Sequence, residues 1–245
     1  MKLTNYALML AVIFSACKGK ETSTAENTTT KVEKVPAICI SNGVPVREEP
    51  SKDGKWLTSL NLGESMVYLG EEYKDSTGNN KDFYKVELSD GSQVWARTYG
   101  ILLNAKGATI LSETPIYKRP DLVNKTDKNF NPLEFVAIIG EKDDWVEVVG
   151  SNKRKSGWIK VQYTSTNPED VAVATLAFKS LLDKDGVIID DKLAAFVDDL
   201  PYENTRFNGY LNNLLDEKVG GEVEESITNY EGEGDTKGDS EYEGD

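Results

Sequence analysis

The chain has 245 residues, enough for one large domain or for two small domains with tails. It carries 28 basic and 42 acidic residues and no histidine, so its formal net charge is −14. The absence of histidine excludes mechanisms that need imidazole, including Ser-His-Asp and Cys-His catalysis and ordinary zinc sites. The acidity argues against nucleic acid or an anionic membrane surface as the main partner, because both repel it.

Two further features of the composition bear on the organisation of the chain. Cys17 and Cys39 are too few for a disulfide framework. A hydrophobic share of 38% is low for a compact globule and predicts that part of the chain is unpacked. The last 25 residues alone have a net charge of −9, so the rest of the chain is only mildly acidic.

The N-terminus has the pattern of an export signal. Lys2 precedes an apolar run over residues 6–14, about half the length that a membrane-spanning helix needs. The sequence Phe14-Ser15-Ala16-Cys17 resembles the lipobox of bacterial lipoproteins. That resemblance implies a signal peptide over residues 1–16, cleavage before Cys17, and lipidation of Cys17 by fatty acids such as palmitate. A plain signal peptide with a chance cysteine is the alternative.

Residues 17–35 follow as a predicted flexible tether rich in Thr, Ser, Glu and Lys. A chain of this length and composition has a root-mean-square reach of about 20–25 Å. No Asp follows Cys17, and an Asp there marks inner-membrane retention in enteric bacteria. The resemblance therefore implies a lipid-anchored protein of the bacterial cell envelope at the outer membrane, on its periplasmic or its surface side.

The middle of the chain is an internal repeat with an offset of 70 residues. The offset relates Pro50 to Pro120 and Gly70 to Gly140, together with the residues around them. Each copy predicts four or five short strands separated by turns, with Asp90-Gly91 as a hairpin turn in the first. We expect domains over residues 36–106 and 107–165, each closing into a barrel to remove its free sheet edges.

The repeated pattern resembles the bacterial SH3 (SH3b) domain. The first copy carries the resemblance in Val46-Arg47, Pro50-Ser51, Leu62-Gly63-Glu64, Leu69-Gly70-Glu71, Tyr84-Lys85-Val86, Asp90-Gly91 and Trp95. The second carries it in Trp145-Val146, Val148 and Gly157-Trp158-Ile159, and is more divergent. The implied fold class is mainly β, with two small SH3-like barrels followed by a short helical region and disordered ends.

The resemblance also implies that the protein binds ligands through aromatic residues. The expected contacts are Tyr68, Tyr84 and Trp95 in the first copy, and Tyr117, Trp145 and Trp158 in the second. Aromatic faces suit sugar rings and prolines. The alternative is that the three tryptophans serve mainly as core. Tyr73, beside a polar insertion, is expected to be exposed.

A helical region over residues 166–219 is predicted after the second copy. Asn167 has the position of an N-cap before Pro168, and three helices are expected over residues 168–182, 192–200 and 203–217. The segment 183–188 is similar to half of a calcium-binding loop, but Leu181 and Lys192 stand where that loop needs carboxylates, so it predicts a turn. Residues 220–245 predict a disordered acidic tail.

The sequence contains no constellation of residues that predicts catalysis, a cofactor or a metal site. We therefore expect a non-catalytic, lipid-anchored envelope protein that uses SH3-like barrels to bind cell-wall glycan or peptide, that is peptidoglycan, or an envelope protein. The alternative is a structural or assembly lipoprotein of an envelope complex, with recognition by the C-terminal helices. A hydrolase is a third reading, for which no candidate nucleophile and base stand out.

Overall fold

The computed structural model describes residues 34–76 and 81–230. These residues form a mainly β structure of two antiparallel sheets, each with seven strands, accompanied by a few helices. The mainly β prediction is thereby confirmed. The predicted signal peptide, Cys17 and nearly all of the predicted tether lie outside the described residues, as does the segment from residue 231 to the end.

The first sheet contains the strands of the first sequence repeat. They are β1 (Val35–Cys39), β2 (Val44–Arg47), β3 (Trp56–Leu60), β4 (Ser65–Tyr73), β5 (Phe83–Glu87), β6 (Gln93–Arg97) and β7 (Ile101–Leu103). Their order across the sheet is β3-β2-β6-β5-β4-β1-β7. The predicted Asp90-Gly91 turn joins β5 to β6, and Gly91 supplies the positive φ of +84° that such a turn needs.

The second sheet repeats this order strand for strand. Its strands are β8 (Lys106–Ile110), β9 (Thr114–Tyr117), β10 (Lys125–Phe130), β11 (Phe135–Lys142), β12 (Trp145–Gly150), β13 (Ser156–Lys160) and β14 (Thr164–Ser165). Their order is β10-β9-β13-β12-β11-β8-β14, which is the first order with seven added to each number. Among the described residues the two end strands of a sheet do not pair with each other, so neither ladder closes on itself.

Each sheet buries the alternate residues of its strands in a core of its own. A further cluster joins the two sheets to the first helix and includes Ile38 of β1, Phe135 of β11 and Ala174. The backbone N–H of Asn152 also donates to the carbonyl of Ile40 at 2.7 Å, from the second repeat to the first. The two sheets and the helices therefore belong to one compact unit.

Three α-helices follow the sheets: α1 (Pro168–Ser180), α2 (Leu193–Asp198) and α3 (Phe207–Tyr230). The predicted N-cap is confirmed, since the Asn167 side chain accepts a hydrogen bond from the N–H of Glu169 at 2.8 Å. The third helix continues beyond residue 217, where the sequence predicted its end, and extends into residues 220–230, which the sequence predicted to be disordered. No proline interrupts residues 220–230, and three of them are Glu, which has a high helix propensity.

The segment between α1 and α2 is a turn, as predicted. The carboxylate of Asp183 accepts hydrogen bonds from the N–H groups of Asp185 at 2.8 Å and Val187 at 2.9 Å, and Gly186 has a φ of +82°. Over residues 34–76 and 81–230, no helix combines the length and the apolar character needed to cross a membrane.

Candidate functional site

Tyr68 on β4 and Tyr84 on β5 form one pair of predicted contact residues. Their ring centroids lie 5.1 Å apart with an interplanar angle of 64°, an edge-to-face geometry. Both rings are partly buried and pack against the core of the first sheet, and Tyr84 lies opposite the fully buried Ala96. Burial, and then the carboxylates of Glu72 and Glu71, raise the pKa of the Tyr68 hydroxyl.

Trp95 lies on the other face of the first sheet. In the ladder it is opposite Lys85, whose Nζ lies 5.9 Å from the centroid of the indole ring and donates to Glu71 Oε1 at 2.8 Å. Its neighbours Val94 and Ala96 point into the core. The structure therefore separates the three residues predicted in the first repeat, with the tyrosines on the inner face and Trp95 on the outer face.

The outer face of the first sheet carries a row of side chains that runs across four strands. Trp56 on β3 lies opposite Arg47 on β2, which lies opposite Trp95 on β6, which lies opposite Lys85 on β5. Directly opposed residues of an antiparallel sheet share a face, so aromatic and cationic side chains alternate along this row. Trp56 is 59% exposed, and Arg47 donates to the carbonyl of Gly54. We call these four residues the first outer row.

The second sheet has a corresponding row at the same register positions. It consists of Lys125 on β10, Tyr117 on β9, Trp158 on β13 and Glu147 on β12. The indole of Trp158 extends toward Gly140 on β11, where an added Cβ would lie 4.0 Å from Cη2 of the ring. Trp158 thus occupies in this second outer row the place that Trp95 occupies in the first.

Trp145 is the one predicted contact residue that the structure buries, with 5% of its surface exposed. The centroids of the Tyr117 and Trp145 rings lie 5.0 Å apart at an interplanar angle of 81°, and Lys160 Nζ lies 4.3 Å from the centroid of the Trp145 ring. In the first sheet Phe83 takes the same ladder position, with Arg97 at 5.3 Å. Each aromatic ring at this position is covered by a cation from the next strand, so Trp145 serves in packing.

A cavity of about 330 Å³ adjoins the first sheet, between the turn at residues 50–53 and the start of β5. Tyr73, Asp75, Lys81 and Phe83 line it on the side of the sheet. Tyr73 is 40% exposed, which confirms the prediction for this residue. The cavity presents an aromatic wall together with charges of both signs, and the exposed tyrosine is the one feature of it that was predicted from the sequence.

Asp170 on α1 is the most completely buried charged group described, with none of its side chain exposed. It accepts hydrogen bonds from Ser165 Oγ at 2.6 Å, Thr205 Oγ1 at 2.9 Å, and the backbone N and Nε of Arg206 at 2.8 and 2.9 Å. Burial alone would raise the pKa of this carboxyl, but these hydrogen bonds hold it below its usual value. The network connects the start of α3 to α1 by hydrogen bonds and includes the Ser165 hydroxyl as one of its donors, so its role is structural.

The outer rows can stack on rings and pair with charges, which is the chemistry of a binding surface. Within residues 34–76 and 81–230, no three acidic or thiol side chains are grouped so that they could hold a metal ion. The sequence identified Trp95, Tyr117 and Trp158 but missed Trp56, Arg47, Lys85, Lys125 and Glu147. Their membership depends on which strands pair and in which register, and the repeat alone does not specify either.

Comparison with known proteins gives no family for this chain. No family model matches it, and no curated protein matches it. Among solved structures it is similar to NlpC2 from Trichomonas vaginalis, with 14% identity and a TM-score of 0.25 over 61% of this chain and 57% of that one. It is also similar to NlpC1 from the same organism, with 15% identity and a TM-score of 0.24 over 71% of this chain and 59% of that one. The chain thus spans less than two thirds of either protein, and likenesses of this size carry no functional argument.

Proposed function

We propose that this chain is a non-catalytic, lipid-anchored protein of the bacterial cell envelope that binds peptidoglycan through the outer rows of its two sheets. One observation carries the proposal: Trp95 and Trp158 occupy the same register position on the outer faces of two sheets with the same strand order. Both indoles are only partly buried. A duplicated, partly exposed aromatic position suits a ligand that is itself repetitive.

The chemistry of the rows supports a wall glycan or its peptides as the ligand. Indole faces stack on sugar rings and on extended peptides, while Arg47 and Lys85 can pair with carboxylates of wall peptides. The first row alternates two tryptophans with these cations, whereas the second places Tyr117 and Trp158 between Lys125 and Glu147. The first row therefore suits the more anionic part of the ligand.

We also infer that each sheet curls into an SH3-like barrel. The long central strands support this, because β4 has nine residues and β11 has eight. Both change register part-way, between Tyr68 and Glu72 in β4 and between Ile138 and Gly140 in β11. Such bulges bend and twist a strand, which lets one strand belong to both walls of a small barrel.

The anchor is inferred from the lipobox-like Phe14-Ser15-Ala16-Cys17. Several acyl chains would hold the protein at a membrane almost permanently, and the tether would let the sheets reach the wall. Cys17→Ser should abolish lipidation and shift the protein out of the detergent phase. Full retention of this variant in the detergent phase with the membrane fraction would contradict the anchor without affecting the wall-binding proposal.

Co-sedimentation with purified, insoluble peptidoglycan tests the function. The protein would comprise residues 18–245, which include both sheets and the three helices. We expect it to sediment with peptidoglycan and expect the double variant Trp95→Ala/Trp158→Ala to remain largely in solution. Tyr210→Ala is the matched control, because Tyr210 is also a partly buried aromatic residue but lies on α3.

The Tyr210→Ala variant also tests the second candidate function, in which an assembly protein recognises its partner through the C-terminal helices. Tyr210 and Leu214 of α3 line a groove of about 390 Å³ that a partner protein could occupy. If neither the parent protein nor any variant sediments with peptidoglycan, the wall-binding proposal is wrong. Capture of an envelope protein that Tyr210→Ala alone abolishes would then place recognition on the helices.

A further inference from the structure

Two hairpins of the protein have a similar backbone design but a different local charge. The hairpin of β2 and β3 spans residues 44–60, and the hairpin of β9 and β10 spans residues 114–130. Their turns are closed by equivalent hydrogen bonds, from Glu48 N to Lys55 O at 3.0 Å in the first and from Lys118 N to Asn124 O at 2.9 Å in the second. The second hairpin can therefore be compared with the first position by position.

The first hairpin is electrically balanced. It contains three cations and three acids. Lys52 lies 3.9 Å from Asp53, and Lys55 lies 3.8 Å from Glu48. Its turn exposes polar residues only, from Ser51 to Asp53. The turn of this hairpin is therefore an ordinary solvated surface.

The second hairpin has an excess of cations. Where the first has Glu48-Glu49, the second has Lys118-Arg119, and Lys125 and Lys128 follow against two acids. All four cations are exposed, and none forms an ion pair within 4.0 Å among the described residues. In a chain with a net charge of −14, this hairpin is thus a local patch with two more cations than acids, and such a patch favours an anionic partner.

The tip of the second hairpin is apolar. Leu122 is 69% exposed and Val123 is 91% exposed. The carboxylate of Asp121 accepts hydrogen bonds from the N–H groups of Val123 and Asn124, both at 3.0 Å, and from Asn124 Nδ2 at 2.7 Å. These bonds hold the turn in shape, so the two aliphatic side chains are presented to solvent by a fixed loop rather than by a loose one.

We propose that the hairpin of β9 and β10 is a docking site for an anionic lipid surface. Leu122 and Val123 would enter the headgroup region, and Lys118, Arg119, Lys125 and Lys128 would face the lipid phosphates. An apolar tip surrounded by cations fits such a surface. The aliphatic side chains gain free energy when they are buried among the headgroups, and the cations gain free energy from the negative surface potential. The inference goes beyond wall binding, since it concerns a different ligand and a surface that shares only Lys125 with the second outer row.

The acidity of the whole chain does not oppose this contact strongly. The last 25 residues contribute −9 of the net charge of −14. Charges interact with a surface mainly within about 8 Å at physiological salt, so the charge of the hairpin itself decides the contact. Near the contact of Tyr117 with Trp145, the cations Lys142 and Lys160 are matched by Asp143 and Asp144, so these residues leave the excess of the hairpin uncancelled.

Vesicle co-sedimentation tests the proposal with residues 18–245, which lack both the signal sequence and Cys17. The vesicles would be mixtures of phosphatidylglycerol and phosphatidylcholine, or phosphatidylcholine alone. We expect binding to the anionic vesicles only, reduced about tenfold or more by Lys118→Glu/Arg119→Glu. Leu122→Ser/Val123→Ser should reduce binding mainly at high salt, where the apolar contribution dominates.

The control is Lys52→Glu/Lys55→Glu in the first hairpin, which changes the net charge by the same amount. This variant should bind anionic vesicles like the parent protein, and all variants should keep its melting temperature because the altered side chains are exposed. Equal losses in both charge variants would overturn the proposal, as would equal binding to neutral vesicles. Binding of a peptide of residues 231–245, without binding of vesicles, would overturn it in favour of an acidic polypeptide.

Discussion

Tyr68 and Tyr84 in the first sheet occupy the register positions that Ile138 and Val146 occupy in the second. The two aliphatic side chains are buried in the second core, whereas the two tyrosines remain partly exposed beside the first. Strand order is nevertheless the same in both sheets. The comparison shows that the fold needs large side chains at these inward positions, whereas the polarity of those side chains can differ between the two sheets.

A second contrast concerns the residue before the outer tryptophan. In the first sheet this residue is Val94, a member of the buried core. In the second it is Gly157, with a φ of +148°, and an added Cβ would lie 2.7 Å from the backbone oxygen of Tyr117. In the first sheet β2 pairs with β6 next to a core valine, whereas in the second β9 pairs with β13 next to a glycine. Trp95 and Trp158 nevertheless occupy the same register position.

The largest predicted effect distinguishes a buried tryptophan from a partly exposed one. Trp145→Ala should lower the free energy of unfolding by about 3–5 kcal/mol, because its ring is enclosed by Tyr117 and Lys160. Trp95→Ala should cost only about 1–2 kcal/mol, since part of that ring is already in water. Urea unfolding of both variants measures the difference, and equal costs would refute the assignment of their environments.

The next prediction tests the contrast between Gly157 and Val94. Gly157→Ala should destabilise the protein by about 2–4 kcal/mol, because the new methyl group meets Ile116 and the Tyr117 backbone and an L-residue disfavours this φ. Val94→Ala should cost about 1–3 kcal/mol through lost burial alone. Chemical denaturation measures the loss of stability in each variant, and hydrogen exchange of the β9 amides distinguishes the two causes. Only Gly157→Ala should accelerate the exchange of these amides.

A smaller effect is expected when the first sheet is made like the second. Tyr68→Ile/Tyr84→Val should change the free energy of unfolding by about 1 kcal/mol or less, since comparable side chains already fit there in the second sheet. Peptidoglycan binding should stay within about twofold, because these residues face away from the outer row. A strong loss of binding with normal stability would move the ligand site to the inner face.

The smallest effect is expected at Cys39, whose counterpart in the second sheet is the buried Ile110. Cys39 is fully buried and behaves as a small hydrophobic residue, so Cys39→Ala should cost about 1 kcal/mol or less. Burial raises the pKa of its thiol to about 11, and the thiol donates a hydrogen bond to the Ser41 carbonyl at 3.0 Å.

The pKa of Cys39 gives this prediction a pH dependence. The folded pKa lies above the unfolded one, so the thiol contributes stability below about pH 8.5 that is lost as the pH rises toward 11. Cys39→Ala should therefore show a shallower loss of stability than the parent protein over that window. Identical alkaline profiles, or rapid labelling of the native thiol, would count against its burial.

The sequence predicted much of the fold because the repeat offset and the helix signals are local. The offset from Pro50 to Pro120 separates the two sheets, and Asn167-Pro168 marks the start of α1. The shared core of Ile38, Phe135 and Ala174 was not predicted, since it depends on how separate repeats pack. Nothing in either repeat alone specifies that contact.

The candidate site was predicted in part. Aromatic residues signalled Trp95 and Trp158, but the rest of each outer row depends on the pairing of β2 with β6 and of β9 with β13. Charge could have signalled the second hairpin, because Lys118-Arg119 replaces Glu48-Glu49 in the aligned repeats. The exposure of Leu122, in contrast, depends on the fixed turn around Asp121.

The affinity of residues 18–245 for soluble peptidoglycan fragments tests the central claim most directly. We predict that Trp95→Ala and Trp158→Ala each weaken binding by about 1–3 kcal/mol, roughly fivefold to 150-fold, in protein that calorimetry shows to be folded. Tyr210→Ala should leave the affinity unchanged. Unaltered affinity in both tryptophan variants, or a loss no larger than their unfolded fraction, would contradict the assignment of the outer rows as the ligand-binding surface.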